Sequence, residues 1–240
     1  MPNHYFEFKQ FRVEQDQCAM KVCTDACLFG AWTASILNSF EIAPTSILDI
    51  GAGTGLLSLM LAQAGSAQID AIEMETGAAI QAAANCKASP WKDRINVVPL
   101  ALQDFKKKEP FYDLIISNPP FYEQDLKSPN TNKNIAHHSE ALTLNELIVS
   151  VKQLLTDGGH FAVLLPFERK APFLAMAEKQ GFYLHQSTDV HQTEKHSPFR
   201  TMLLLSRTQA RIKTDSIIIK INKEYSPKFR QLLTPYYLPF

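Results

Sequence analysis

Residues 117–121, Ser-Asn-Pro-Pro-Phe, have the side chains best suited to chemistry in this chain of 240 residues. They follow an apolar run at residues 113–116 that predicts a short buried strand. Two consecutive prolines have no backbone N–H to donate, so the chain must leave the sheet after Asn118. Its amide, the proline carbonyls and an aromatic ring then lie at the carboxyl edge, where α/β sheets bind ligands. Such a group suits a planar amino group; the alternative is a proline-rich strand stop without a chemical role.

A glycine turn is the second candidate site. A short apolar strand at residues 47–50 runs into Gly-Ala-Gly-Thr-Gly, which begins at Gly51 and leads into an apolar helix. Gly51 and Gly53 allow positive φ and close approach of a ligand to the backbone. The spacing differs from the G-x-G-x-x-G of dinucleotide enzymes. Asp49, on the strand itself, suits a ligand with an ammonium group better than a pyrophosphate; its structural alternative is to tie down the turn.

Two further acidic residues follow predicted strands. Glu73 ends the next strand, about 20 residues after Gly51, which is the usual position of a carboxylate that binds ribose hydroxyls. Asp104 and Phe105 follow a third strand predicted at residues 94–99. Asp104 suits an adenine amino group, with Phe105 packed nearby. The alternatives are a solvated Glu73 and an Asp104 that caps a helix.

The order of these motifs resembles the class I S-adenosylmethionine-dependent methyltransferases, and among them the amino methyltransferases with an (Asn/Asp/Ser)-Pro-Pro-(Tyr/Phe) motif. The resemblance implies a Rossmann-like α/β domain with a seven-stranded, mostly parallel sheet and an antiparallel pair of C-terminal strands. The strand–helix alternation of the sequence predicts the same fold class. It also implies S-adenosylmethionine as cofactor, bound by the glycine turn and the acidic strand ends.

The two ends of the chain narrow the resemblance. Phe-Lys-Gln-Phe at residues 8–11, the segment 20–32 and the tail at residues 225–240 are similar to bacterial tRNA adenine-N6 methyltransferases that modify valine tRNA at position 37, beside the anticodon. The resemblance therefore covers essentially the whole chain. It implies methyl transfer to the exocyclic N6 of an adenine, with tRNA as the partner.

The resemblance assigns a role to each candidate residue. Asn118 and Pro119 are the catalytic acceptors of the amino hydrogens, and Phe121 stacks on the target base beside Pro120. The predicted cofactor-binding residues are Lys21, Thr24, Asp49, Gly51, Gly53, Glu73, Asp104 and Asn118. Asp25 is expected to help Lys21 and Thr24 close the methionine end of the cofactor; the structural alternative there is a helix cap beside a surface lysine.

A single domain is predicted, with a cofactor-closing segment at 1–46, a catalytic core at 47–206 and a basic extension at 207–240. The pattern predicts helices over residues 24–37, 76–88 and 143–155, the last capped by Thr143, and a polar substrate loop over 122–134. From residue 206 to the end there are seven basic and two acidic residues. Arg211, Lys220 and Arg230 are therefore expected to contact RNA, or else to lie on an ordinary solvated surface.

Global features agree with an intracellular enzyme. The net charge is zero and 45% of the residues are hydrophobic, which suffices for a buried core. The four cysteines lack the paired spacing of a zinc site, so no metal is expected. No signal peptide or apolar stretch of about 20 residues is present. The expected protein is cytoplasmic, monomeric and not bound to a membrane.

Other activities stay open. Guanine-N2 methyltransferases of ribosomal RNA use the same motif, because Asn118 and Phe121 suit any planar amino group. Glutamine methyltransferases of release factors also use it but have a sizeable helical domain before the glycine turn, where this sequence has 46 residues. A nicotinamide-dependent oxidoreductase requires a different glycine spacing. A non-catalytic RNA-binding module needs no cofactor motif.

Overall fold

The computed structural model describes residues 4–18, 20–37, 43–106, 111–120 and 142–238. Phe121 and the substrate loop predicted at 122–134 lie outside the described residues. The strands are β1 (Tyr5–Glu7), β2 (Arg12–Glu14), β3 (Ser46–Ile50), β4 (Gln68–Ile72), β5 (Ile95–Val98), β6 (Tyr112–Ser117), β7 (Leu155–Pro166), β8 (Tyr183–Thr193), β9 (Pro198–Ser206), β10 (Lys213–Ile221) and β11 (Glu224–Tyr225). The helices are α1 (Thr24–Leu37), α2 (Leu56–Ala64), α3 (Thr76–Ala88), α4 (Leu144–Leu154), α5 (Lys170–Lys179) and α6 (Pro227–Leu233), with a short 3₁₀ helix at Phe167–Arg169.

One large sheet organises the protein. Its strand order is β11-β10-β8-β9-β7-β6-β3-β4-β5, and β1 and β2 form a separate hairpin. Within the large sheet, neighbouring strands are parallel except where β9 pairs with β7 and β8 and where β11 pairs with β10. The predicted α/β class, the mostly parallel sheet and the antiparallel pair β8–β9 are confirmed.

The sheet has nine strands rather than the expected seven, because the C-terminal extension adds two. Residues 213–221 contain Ile-Ile-Ile, a β-branched run typical of strands, and they form β10. This segment was predicted as part of a basic extension, and the strand was not predicted. Helix α6 then packs its buried Phe229 and Leu233 into the core beside α1.

Alternating side chains divide the core between the two faces of the sheet. In β6, Leu114 and Ile116 face the cluster built with α1 and α2, whereas Ile115 faces the cluster built with α4 and α5. This alternation follows from the two-residue period of a strand whose two faces are both covered by helices. Helices α1 and α3 have the predicted bounds. Thr143 caps α4 as predicted, in a reciprocal capping box with Glu146.

The two ends of the chain meet. The Lys9 amide donates to the Tyr236 carbonyl across 2.8 Å, and the Tyr236 hydroxyl donates to the Met60 carbonyl in α2 across 3.2 Å. The hairpin β1–β2 and the C-terminal tail thus both rest on the side of the sheet that α1 and α2 cover. None of the described helices combines the length and the apolar character needed to cross a bilayer.

Candidate active site

The two motifs predicted to carry the chemistry lie side by side at the carboxyl edge of the sheet. Ile50 is opposite Ser117 on the parallel neighbours β3 and β6, and the Ser117 hydroxyl donates to the Ile50 carbonyl across 2.9 Å. Both strands end at this pair, so Gly51 and Asn118 are the first residues beyond the sheet. The strand order reverses between β3 and β6, which is where open α/β sheets form their ligand crevice.

The glycine turn needs its glycines for two different reasons. Gly51, Gly53 and Gly55 have φ values of 73°, 55° and 81°, which side chains rarely adopt. A Cβ at Gly55 would lie 3.2 Å from the Cys86 sulfur of α3, so this glycine lets the turn pack closely on that helix. A Cβ at Gly51 or Gly53 would meet nothing within 4 Å. The backbone at these two positions therefore faces open space that a ligand can fill.

Glu73 is held against the glycine turn. One carboxylate oxygen accepts from the Gly53 N–H at 2.9 Å, and the other accepts from the Glu75 N–H at 2.9 Å. Backbone bonds from Gly51 and Ala52 to the Ile72 carbonyl place the turn directly on the end of β4. The carboxylate thus lies at the mouth of the crevice, at the position predicted for a ribose-binding acid, and it also fixes the turn.

Asp49 lies fully buried beneath the turn. Its Oδ2 accepts from the Ser58 N–H at 3.1 Å and from the Ser58 hydroxyl at 2.7 Å, whereas its Oδ1 has no partner among the described residues. Burial raises the pKa of this carboxyl to about 6, although the two Ser58 hydrogen bonds oppose the shift. Ser58, which was not predicted as a site residue, thus holds Asp49 by one oxygen and leaves the other without a partner among the described residues.

Asn118 combines burial with an unused acceptor. Its Oδ1 is buried and has no hydrogen-bond partner in the described part of the chain. Pro119 is buried and Pro120 is exposed. A buried polar oxygen without a partner is costly, so such an atom at a sheet edge points to a ligand that completes it. The structure leaves the predicted role of Phe121 untested, since that residue lies outside the described residues.

Asp104 and Phe105 differ in burial, and Phe105 has the packing role that the sequence suggested. They lie in a turn beyond β5, where Asp104 is exposed and Phe105 is buried. The Phe105 ring stacks on Tyr112 of β6 with 6.4 Å between centroids. Residues 102–104 form a turn and the described residues through 106 begin no helix, so Asp104 is not a helix cap there. Asp104 thus lies beyond the carboxyl end of β5 with an exposed side chain.

The N-terminal segment is held by two amides of α3, one of which also holds the glycine turn. Asn85 accepts from the Glu14 N–H at 3.0 Å and donates to the carbonyls of Glu14 and Thr54, both at 2.9 Å. One helical turn earlier, Gln81 accepts from the Gln17 N–H at 2.9 Å. The sequence analysis missed both amides; the signal was two polar residues four positions apart in an alanine-rich helix.

Lys21, Thr24 and Asp25 lie where the N-terminal segment enters α1. Lys21 and Thr24 are exposed. Asp25 accepts from Arg200 Nε at 2.9 Å, and Arg200 is opposite Pro166 at the carboxyl end of β7. This ion pair fixes the start of α1 at the same edge as Asn118. Asp25 is therefore engaged by the protein, while the other two side chains face solvent.

The predicted RNA contacts do not form one surface. Lys220 lies near the end of β10 over the ring of Tyr225, and Arg230 of α6 donates to the Tyr225 carbonyl and to Glu224. Arg211 precedes the start of β10, at the opposite edge of the sheet. The start and end of β10 are separated by roughly 25 Å at about 3.3 Å per residue. Only Lys220 and Arg230 therefore share a region.

Metal ligands are not gathered in the described residues. No group of three or more histidine, cysteine or acidic side chains there is arranged to hold an ion. The cysteines Cys18, Cys23, Cys27 and Cys86 are free thiols.

Comparison with known proteins identifies the family. The family model described as "Methyltransferase small domain" matches residues 30–181. A tRNA1(Val) (adenine(37)-N6)-methyltransferase of Dyadobacter fermentans is 43% identical, with 99% of each chain covered. The chain belongs to this methyltransferase family. A relative with the same name from Flavobacterium johnsoniae is 41% identical over 97% of this chain and 99% of its own.

Solved structures agree on the fold of this family member. A predicted O-methyltransferase, protein Atu636 from Agrobacterium tumefaciens, superposes with a TM-score of 0.66 at 16% identity, over 88% of this chain and 96% of its own. The ribosomal protein L11 methylase from Lactobacillus delbrueckii subsp. bulgaricus superposes with a TM-score of 0.53 at 15% identity. The superposition covers 75% of this chain and 78% of the methylase chain. At such identities the likeness establishes the class I methyltransferase fold alone.

Proposed function

We propose that this protein transfers the methyl group of S-adenosylmethionine to the exocyclic N6 of adenine 37 in a valine tRNA, the reaction named for its relatives. Methyl transfer is the activity of the family to which the chain belongs. The observation that carries the proposal is the buried Oδ1 of Asn118, which has no partner among the described residues and lies directly beside the glycine turn. Serving a tRNA, the protein is expected to act in the cytoplasm, and we propose that it does so as a monomer.

The residues around the turn fit the cofactor. Open space above Gly51 and Gly53 admits the cofactor next to the backbone, and Glu73 at the end of β4 accepts hydrogen bonds from ribose hydroxyls. The Asp49 Oδ1, which has no partner among the described residues, would interact with the ammonium, and Asp104 would accept from the adenine amino group. When bound, the cofactor supplies a methyl group on a positively charged sulfur, which is already electrophilic.

Asn118 and Pro119 act on the nucleophile. The amino nitrogen of adenine is weakly nucleophilic because its lone pair is delocalised into the ring. The Asn118 Oδ1 and the Pro119 carbonyl accept its two hydrogens, draw the nitrogen toward a tetrahedral shape and aim the lone pair at the methyl group. Positioning of this kind supplies roughly 7–11 kcal/mol in favourable cases. After transfer the nitrogen carries an extra proton, which passes to water because an amide and a carbonyl are too weakly basic to keep it.

The target base must leave the anticodon loop to reach this edge, as enzymes that act on bases require. We propose that Phe121 stacks on the extruded base and that Pro120 lines its path. Two neutral acceptors suit an amino group of any planar ring, so the choice of adenine over guanine is what the experiment must test.

The test uses the full chain and transcripts of valine tRNA that differ only at position 37, with adenine or guanine there. We expect N6-methyladenine in the first transcript and no methylated base in the second, measured by mass spectrometry of the digested nucleosides. N2-methylguanine in the second transcript, or in ribosomal RNA, would overturn the adenine assignment. Methylation of a release-factor glutamine would overturn the RNA assignment.

A further inference from the structure

Two hairpin turns lie side by side at the carboxyl edge: one joins β8 to β9, and the other joins β10 to β11 in the C-terminal extension. Strands β8 and β10 are parallel neighbours, with Thr193 opposite Lys220. Residues 194–197 connect β8 to β9, and residues 222–223 connect β10 to β11. We call residues 193–197 together with 220–223 the double-hairpin surface. Because β6, β7, β8 and β10 all run in the same direction, this surface lies on the same edge as Asn118.

The double-hairpin surface has cations that the described residues leave unpaired. Lys195, Lys220 and Lys223 form no ion pair there, whereas the neighbouring acid Glu224 is engaged by Arg230 at 3.0 Å. Glu194 is the acidic residue within the surface. Lys220 lies 5.4 Å from the centroid of the Tyr225 ring, which orients its ammonium group. The surface therefore has an excess of positive charge.

His196 shapes the first turn. Its Nδ1 lies 2.7 Å from the Thr193 hydroxyl, and its carbonyl lies 2.9 Å from Nδ1 of His191. The Lys195 amide donates to the same Thr193 hydroxyl at 3.3 Å. These contacts fix the backbone of the turn and leave the Lys195 side chain exposed.

The second turn keeps a lysine where glycine is preferred. Asn222 and Lys223 have φ values of 48° and 72° and are the non-glycine residues with positive φ in the described chain. A two-residue hairpin turn with both φ values positive is of type I′, for which Asn-Gly is the favoured sequence. A lysine at the second position costs backbone strain. Strained backbone of this kind is held by the surrounding structure and clusters at functional sites.

One further basic residue and one further aromatic residue lie at the same carboxyl edge. Arg169 is exposed on the 3₁₀ helix after β7, and Phe199 lies at the start of β9. Four strand spacings separate β6 from β10, which is about 19 Å at roughly 4.8 Å each. The target nucleotide at Asn118 cannot span that distance. A phosphate bound at the double-hairpin surface must belong to another part of the same RNA.

From this geometry we infer that the double-hairpin surface binds the phosphate backbone of the tRNA away from the target base and sets its register on the enzyme. The inference rests on the proposed function for the identity of the RNA. Lysine contacts of this kind position a nucleic acid without reading its sequence. The surface differs from the expected set of RNA contacts, because Arg211 lies at the other edge and Arg230 is engaged by Glu224.

The test compares the Lys195→Ala/Lys223→Gly variant, and each of its two single variants, with Lys213→Ala, which removes one exposed lysine at the opposite end of β10. We expect the double variant to raise the KM for the valine tRNA transcript by about tenfold and to reduce the salt dependence of binding by about one to two units of slope. Lys213→Ala should leave both quantities near the wild-type values. Cofactor affinity, measured by calorimetry, should stay the same in every variant.

The glycine substitution separates binding from folding. Because glycine relieves the positive φ, Lys223→Gly alone should keep or raise the melting temperature while it weakens RNA binding. An unchanged KM and salt slope in the double variant, or an equal loss in Lys213→Ala, would overturn the inference. Binding is followed by fluorescence anisotropy as well as by methylation. If the wild type binds the transcript without methylating it, the proposed function is wrong. The anisotropy measurements on the variants then still show whether the double-hairpin surface binds RNA.

Discussion

The side-chain amide of Asn85 donates to the carbonyl of Thr54 across 2.9 Å, so helix α3 holds the glycine turn directly. The same side chain makes two hydrogen bonds to the backbone of Glu14 in the N-terminal segment. The turn proposed to bind the cofactor and the segment predicted to close over it are thus held by one buried residue.

Asn85→Ala should therefore weaken both stability and cofactor binding. It leaves buried backbone groups without partners, which costs about 1–3 kcal/mol of unfolding free energy. We expect affinity for S-adenosylmethionine to fall by about tenfold, measured by calorimetry, and the Glu14 amide to exchange faster. Gln81→Ala is the matched control, since it loosens the N-terminal segment at Gln17 without touching Thr54. Unchanged cofactor affinity in Asn85→Ala would show that the turn needs no such support.

Glu73→Gln tests the ribose-binding role. An amide has one acceptor oxygen, so it cannot accept from both the Gly53 and Glu75 N–H groups and also bind ribose. We expect cofactor affinity to fall by a factor equivalent to about 1.5–3 kcal/mol, the range for hydrogen bonds to a charged group. Glu75→Gln is the control, because Glu75 caps α3 through the Gly77 and Ala78 amides. That control should lower the melting temperature and leave cofactor affinity nearly unchanged; equal losses in both variants would contradict the assignment.

The raised pKa of Asp49 should make stability and cofactor binding respond to pH in opposite directions. Its pKa of about 6 in the fold lies above the ordinary value of 3.8, so the folded state binds more protons between these values. The contribution of this carboxyl to stability is therefore present at low pH and is lost as the pH rises through about 6. A shift of this size corresponds to roughly 3 kcal/mol at most. Cofactor affinity should instead fall below pH 6, as the carboxylate that faces the ammonium takes up a proton.

Asp49→Asn is the variant that isolates this group. Relative to the wild type, its unfolding free energy should increase between pH 4 and pH 7, because the asparagine does not ionise. Its cofactor affinity should be low and show no step near pH 6. The two curves come from denaturant unfolding and calorimetry across the same pH series. A wild-type affinity that stays flat from pH 5 to pH 8 would remove Asp49 from the cofactor site.

Much of this site could be predicted from the sequence, because it depends on the backbone preferences of individual residues. The prolines after Asn118 end β6, and the positive φ of Gly51 and Gly53 ends β3, because these residues restrict or permit backbone geometry wherever they occur. Helix α1 likewise begins at Thr24, as predicted. Parallel strands then bring the two motifs to one edge.

The other features of the site could not be predicted, because they depend on contacts between residues that are distant in the sequence. Nothing near Asn85 indicates that its amide binds Thr54 and Glu14, because those contacts exist only once the strands are assembled. Arg211 and Lys220 lie within the same short stretch of sequence, yet they are at opposite edges of the sheet. The residues between them belong to β10, in which each residue advances the chain by about 3.3 Å. Predicting which edge each one occupies requires the direction of β10, and the sequence analysis had not identified that strand.

Asn118→Ala tests the chemistry itself. It removes one acceptor of the amino hydrogens and leaves the glycine turn and Glu73 in place, so methyl transfer should fall by at least about a hundredfold, or about 2.7 kcal/mol of barrier. S-adenosylmethionine affinity should change far less, since Asn118 serves mainly the target amino group. Asn118→Asp is the matched control: it keeps an acceptor oxygen and should retain much more activity than the alanine variant. Single-turnover assays on unmodified valine tRNA, with calorimetry on the same preparations, separate transfer from binding. If Asn118→Ala transferred methyl groups at the wild-type rate, the Asn-Pro-Pro-Phe segment would serve only to end a strand.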